Sequence, residues 1–125
     1  MWLAPVNGQD ILQRTREFSR RIAKLHAALP KNSGNKDIAS QLLRAGTSVG
    51  AQVAEANFAK SKADFINKLE GALQESEEAR YWIKVIGDAE LVKPSRLDAI
   101  FQESKEITAI IVTIVNKTRR SRKAE

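Results

Sequence analysis

Residues 41–56 read QLLRAGTSVGAQVAEA, and they set two glycines, two hydroxyls and four alanines inside a pattern that otherwise scans as one amphipathic helix. Helical spacing places Ala39, Leu43, Gly46, Gly50, Ala54 and Asn57 on one face and the bulkier Leu42, Val49 and Val53 on another. The segment therefore has two apolar faces. The bulky face can fill a core, while the glycine and alanine face lets a second helix approach closer than the usual axial spacing of about 8–10 Å. A glycine inside a helix costs about 0.5–1 kcal/mol relative to alanine, so two of them require an offsetting gain in contact. The close partner is either another helix of the same chain, with Gly71 of the third helix as the candidate, or a helix of a second subunit. Paired small residues at this spacing also occur in membrane helices, but Arg44 and Glu55 flank this segment and its surroundings are not apolar, so no membrane role is expected.

Working outward, three more helices can be read. Ile11, Thr15, Phe18, Ile22, Leu25 and Leu29 alternate steps of four and three on a single stripe, with Pro30 as a stop. The loop KNSGNKD follows, where Ser33, Asn35 or Asp37 can cap the second helix, which runs to about Phe58. Ser61, with Asp64 three residues on, resembles a capping box that opens a third helix, whose seam is Phe65, Leu69, Ala72, Ser76, Ala79, Ile83 and Ile86. A Lys93-Pro94-Ser95 turn, with Asp98 three residues after Ser95, marks a fourth start. Leu97, Ile100, Phe101, Ile107, Ile110, Ile111, Ile114 and Val115 then make a stripe too wide for one partner. The run AIIVTIV is β-branched, yet it closes a long 3.6-residue pattern with no turn signal before it and reads as helix. Helices at about 9–29, 36–58, 62–88 and 95–117 with short connections predict an all-α fold. It is an antiparallel up-down four-helix bundle in one domain over 1–118, followed by a basic, disordered tail over 119–125.

The chain has 125 residues and no cysteine. That length suits one domain able to bury roughly two-thirds of the surface of the unfolded chain. The absence of cysteine excludes disulfides, thiolate metal sites and a cysteine nucleophile. MWLAPVNGQD lacks the features of a signal peptide and the longest apolar run is too short to span a bilayer, which leads to the expectation of a cytoplasmic protein. The net charge of +6 is unevenly placed. Residues 117–125 carry +4, residues 1–44 carry +5 and residues 45–116 carry −3, with residue 117 onward counted apart. This polarity suits either a head-to-tail contact between copies or a phosphate-binding face on the front half.

Enzyme chemistry finds little support. His26 is the sole histidine and flanks the first apolar stripe. Glu75 and Glu78 are three apart, as in bundle metal sites, but the accompanying Glu-x-x-His element is absent and a solvated acidic face accounts for them. There is neither a phosphate-cradling glycine loop nor a nucleophile elbow. No catalytic residue, metal or cofactor is assigned. The basic residues remain: Arg14, Arg21 and Lys24 on one flank of the first helix, Arg16 and Arg20 on another, Arg44, and the tail residues Lys117, Arg119, Arg120, Arg122 and Lys123. Such a surface gives phosphate contacts without reading sequence. Tyr81 and Trp82 are adjacent and point in different directions, which puts one of them in the core and offers no base-stacking platform.

The set formed by SQLLRAGTSVGAQVAEA and SKADFINKLEGALQESEEARYWIKVI resembles the "four helix bundle protein" family. That family includes proteins encoded in intervening sequences of bacterial 23S ribosomal RNA genes and accessory variability proteins of diversity-generating retroelements. The residues carrying the resemblance are Gln41, Leu42, Arg44, Ala45, Gly46, Thr47, Ser48, Val49, Gly50 and Ala51, then Ala54, Glu55 and Ala56, then Ser61, Lys62, Asp64, Phe65, Lys68 and Leu69, and finally Ala72, Leu73, Glu75, Tyr81 and Trp82, over a span of about residues 10–118. The chain departs from it at Gln52, where the family usually has asparagine. The resemblance implies a ring-shaped homopentamer and, in retroelement members, association with RNA or DNA and with a reverse transcriptase. It brings no catalytic residues. The functional expectation is a non-enzymatic oligomeric bundle that binds nucleic acid weakly through phosphates; the alternative is a structural or protein-partner adaptor whose charge polarity only builds the ring.

Overall fold

The computed structural model describes residues 8–30, 32 and 34–121. It contains four long helices: α1 (Gly8–Ala28), α2 (Lys36–Ala56), α3 (Lys62–Asp88) and α4 (Asp98–Arg120). Neighbours in sequence are neighbours in space, with α2 packed most broadly on α3 and then α1, and α4 lying on α3 and more thinly on α1. Paired positions run in opposite directions. Gly46 faces Ile22 while Gly50 faces Thr15 and Ser19, and toward the other end of the bundle from the Gly87–Leu97 contact, Lys62 meets Ser121. The result is the expected antiparallel up-down four-helix bundle.

The apolar stripes of α1 and α3 are buried at every position read from the sequence, Thr15 and Ser76 included. Three hydroxyls make the α3–α4 seam polar at one level: Ser76 Oγ lies 2.9 Å from Thr108 Oγ1, and Ser104 Oγ turns back onto the Phe101 carbonyl. No buried side-chain nitrogen or oxygen among the described residues lacks a partner. On α4 the wide stripe divides: Ile100, Ile107, Ile111 and Val115 are buried, while Phe101, Ile110 and Ile114 are only half covered.

The ends of the helices follow local chemistry. Ser61 Oγ accepts the Asp64 N–H at 3.0 Å, and Asp64 Oδ2 accepts the Lys60 N–H at 3.1 Å, so the box closes one residue earlier than in the usual reciprocal pattern. α2 stops at Ala56, short of Phe58, because Asn57 serves as the cap and Phe58 swings into solvent. Of the three proposed α2 caps, Asn35 holds the cap position without a side-chain bond, Asp37 lies in the first turn and Ser33 lies outside the described residues. The Ser95–Asp98 start for α4 does not form. A 3₁₀ turn over Pro94–Arg96 leads in instead, and Leu97 stands at the cap with its side chain buried against Gly87. α3 ends in a Schellman arrangement, the Leu91 N–H reaching the Ile86 carbonyl and the Glu90 N–H the Gly87 carbonyl. Glu90 takes the left-handed conformation, φ 57°, that glycine usually fills there.

The two-faced reading of α2 holds, but the partner differs from the one expected. The small face packs on α1 of the same chain: a Cβ added at Gly46 would lie 2.7 Å from both Ile22 Cγ1 and Cγ2, and one at Gly50 would lie 3.1 Å from the Thr15 carbonyl oxygen. Ala39 and Gly46 are buried and Leu43 half-buried, whereas Ala54 and Asn57 are exposed where the face passes the end of that contact. Gly71 does allow a close approach between α3 and α2, on a different side: its missing Cβ makes room for the Gln52 amide, 2.7 Å from where that carbon would sit. The departure at Gln52 is thus matched by a glycine opposite it.

Candidate nucleic-acid interface

The cations proposed as phosphate ligands fall into two groups. Four are held by carboxylates. Arg14, between α1 and α4, donates from Nη2 to Glu103 at 2.6 Å and to Glu106 at 3.1 Å, and from Nε to Glu103 at 3.1 Å. The Glu103 bond, above all, holds its guanidinium above the ordinary value. Arg44 bridges α2 to α3, with Nη1 3.2 Å from Glu75 Oε2 and Nη2 on Glu78. Glu78 also accepts Trp82 Nε1–H at 3.0 Å. These donors, Arg44 first and Trp82 second, keep the Glu78 carboxyl below its usual range. Glu75 and Glu78 are therefore one side of an interhelical clasp, which corrects the solvated acidic face read from their spacing. Arg20 bonds Glu17 one turn away, and Arg119 reaches Glu70 on α3 at 2.6 Å.

The second group is uncommitted. Arg16, Arg21, Lys24, Lys117 and Arg120 form no ion pair with another described residue. Arg21 and Lys24 act on Glu17 only at longer range. Arg122 and Lys123 lie outside the described residues. α4 itself continues as helix through Arg120, so Arg119 and Arg120 belong to the bundle and not to a disordered tail; the Arg119–Glu70 pair and Lys62 anchor this last turn.

Cations do converge at one end. Lys62, in the first turn of α3, donates from Nζ to the Ser121 carbonyl at 2.6 Å and to the Arg119 carbonyl at 3.4 Å. An ammonium there satisfies carbonyls left open at the α4 terminus and opposes its negative dipole end. It also joins the start of α3 to the end of α4, so Lys60, Lys62, Lys117, Arg119 and Arg120 share one end of the bundle, beside Phe58, which is 83% exposed. Lys60 and Lys62 were not read from the sequence as part of this surface, and spacing carries no signal for it, since they lie more than fifty positions from α4's end. Along α1, by contrast, an open groove mixes Arg14, Arg16 and Arg20 with Asp10, Glu17 and Glu103, and it offers no unbroken cationic track.

His26 is half-buried, and no three His, Cys, Asp or Glu side chains among the described residues gather where a metal ion could sit. No described helix is long and apolar enough to cross a membrane.

Comparison with known proteins then places this bundle among relatives. The family described as 23S rRNA-intervening sequence protein matches residues 8–113. A crystal structure of a Bacteroides thetaiotaomicron protein of unknown function, from the S23 ribosomal protein family, superposes with a TM-score of 0.80 at 35% sequence identity. The match covers 84% of this chain and 97% of that one. No curated protein is significantly similar to the chain.

Proposed function

We propose that the chain, which belongs to the 23S rRNA-intervening sequence protein family, is a non-enzymatic accessory protein that binds nucleic acid weakly through backbone phosphates, with the basic end of the bundle as its contact surface. One observation carries this reading: the Lys62 bridge gathers Lys60, Lys117, Arg119 and Arg120 at the end from which Arg122 and Lys123 continue in sequence. Lys117 and Arg120 have no carboxylate partner among the described residues to leave before meeting a phosphate. Arg16, Arg21 and Lys24 of α1 are secondary contacts. Arg14 and Arg44 rank last among the proposed contacts, because each would have to leave two carboxylates to reach a phosphate. The family resemblance supports assembly as a homo-oligomer, a pentameric ring, and in a retroelement setting a reverse transcriptase as protein partner.

An adaptor whose charge polarity serves only ring assembly draws less support. Two front-to-back attractions, Arg14 with Glu103 and Glu106 and Arg44 with Glu75 and Glu78, are satisfied inside one chain. The test is fluorescence anisotropy of labelled single- and double-stranded RNA and DNA at low and physiological salt, with the mass measured by light scattering. The logarithm of the binding constant should fall linearly with the logarithm of salt, by about 0.9 per phosphate engaged on a duplex. Absence of binding at low salt sinks the proposal.

A further inference from the structure

A second surface lies on the α3–α4 groove, far from the basic end. Tyr81 is 59% exposed, although its neighbour Trp82 is half-buried. The two rings meet edge to face with centroids 5.0 Å apart and planes at 77°. Trp82 is fixed through its bond to Glu78, itself held by Arg44, so the Tyr81 ring leans on a braced support. Phe101 of α4 lines the same groove, half-covered, with Lys105 Nζ 5.8 Å from its ring centroid. Arg80 is bonded to Glu77, whereas Lys84 and Lys105, also in the groove, pair with no carboxylate among the described residues. The sequence reading of no stacking platform rested on Tyr81 and Trp82 alone; it misses Phe101 and Lys105, which reach the site from the other helix.

Two aromatic rings between unpaired lysines fit a ligand that has both flat π faces and an anionic chain. A protein partner fits less well, since lysine is depleted from protein interface cores. A duplex keeps its base faces stacked inside, so only an unpaired strand offers them to a side chain. We infer that the α3–α4 groove is a stacking platform for single-stranded nucleic acid, with Tyr81 taking a base face and Lys84 and Lys105 the adjoining phosphates. This inference rests on the phosphate-binding reading above and adds a preference for single strands. About nineteen residues of helix, or roughly 28 Å, separate Tyr81 from Lys62, so the platform is a site apart from the basic end.

The test uses full-length protein and three labelled probes of twenty nucleotides: a thymidine tract, an abasic strand with the same phosphates, and a blunt duplex. Tyr81→Ala should weaken binding of the thymidine tract by about 5- to 150-fold, the effect of losing one stacked base. The abasic strand and the duplex should bind as before, and Tyr81→Phe should restore the tract. Tyr81 is exposed, so the fold should survive, and circular dichroism checks this. If the thymidine tract is unaffected, or if tract and abasic strand weaken together, the stacking platform is refuted while phosphate binding stands. A change of oligomer mass in Tyr81→Ala would make the groove a contact between copies and also refute it. Wild-type protein that binds none of the probes at low salt overturns both proposals.

Discussion

Gly46→Ala should reverse the sign of its effect when Ile22 is removed. In the wild type a Cβ at position 46 would stand 2.7 Å from Ile22 Cγ1 and Cγ2 and 2.9 Å from Cδ1. Carbon atoms rest at about 3.5–4.0 Å, so the overlap is about 1 Å, and Ile22 is fully buried with no solvent to swing into. Forcing a methyl into a packed core costs about 1–3 kcal/mol, while exchanging glycine for alanine inside a helix returns about 0.5–1 kcal/mol. The net expectation is a loss of about 1–2 kcal/mol. Ile22→Ala deletes all three opposing atoms and by itself should cost about 2–5 kcal/mol. In that background the alanine at 46 meets free space, and only the helix gain of about 0.5–1 kcal/mol remains. Urea unfolding followed by circular dichroism measures the four proteins, at one fixed concentration because any self-association would add to apparent stability. If Gly46→Ala destabilises both backgrounds equally, the glycine is not there for Ile22 and the close-approach argument fails.

Replacing both Lys117 and Arg120 by alanine should lower the salt slope of duplex binding by about 2 without altering mass or unfolding, whereas Arg14→Ala should leave the slope alone; equal effects would dissolve the distinction between free and clasped cations. Glu78 has a lowered pKa in the folded chain, so the stability from its clasp is present above the usual carboxylate range and is lost as pH falls through the folded value. Arg44→Gln should therefore shrink the difference between urea midpoints at pH 6 and pH 3, and an unchanged difference would show that the clasp does not contribute. Ser61→Ala removes the cap on α3 and should cost about 0.5–2 kcal/mol in the same unfolding assay. Glu90→Gly relieves a left-handed residue and should raise stability by about 1 kcal/mol; a loss would mean that the backbone there is unstrained.

The apolar periodicity of α1 and α3 was enough to place their cores, since a step of three or four fixes which side of a helix is apolar without reference to any partner. The same periodicity separated the two faces of α2. It could not say that Gly46 meets Ile22, because that depends on which helices are adjacent and at what register, and both are set by the whole bundle. Cross-helix pairing hid the fate of the arginines in the same way. Arg20 and Glu17 are a turn apart and can be read as a pair, but Arg14 and Glu103 are 89 positions apart and meet only once α4 folds back along α1. At the start of α4 a local signal misled: Ser95 and Asp98 have capping spacing, but Pro94 holds the chain in a 3₁₀ turn and the buried side chain of Leu97 fixes the start instead.

That pairing changes what the charge polarity of the sequence means. A chain whose front is basic and whose back is acidic can attract copies of itself only if those charges stay available. Here Arg14 and Arg44 from the front are closed onto Glu75, Glu78, Glu103 and Glu106 from the back, within one protomer. With those two clasps closed, of the α1 cations only Arg16, Arg21 and Lys24 remain to add ionic contacts between copies, and self-association is expected to draw mainly on the half-covered apolar positions of α4, Ile110 and Ile114 among them, and on shape. The field that reaches a distant ligand comes from the uncommitted cations, above all Lys117 and Arg120 at the end of α4. Assembly and nucleic-acid binding should then respond differently to salt. Raising it from 50 to 300 mM should dissociate the nucleic acid and leave the mass from light scattering unchanged. A mass that falls in step with binding would mean that the subunit contacts are ionic, and that the polarity in the sequence is shared between chains after all.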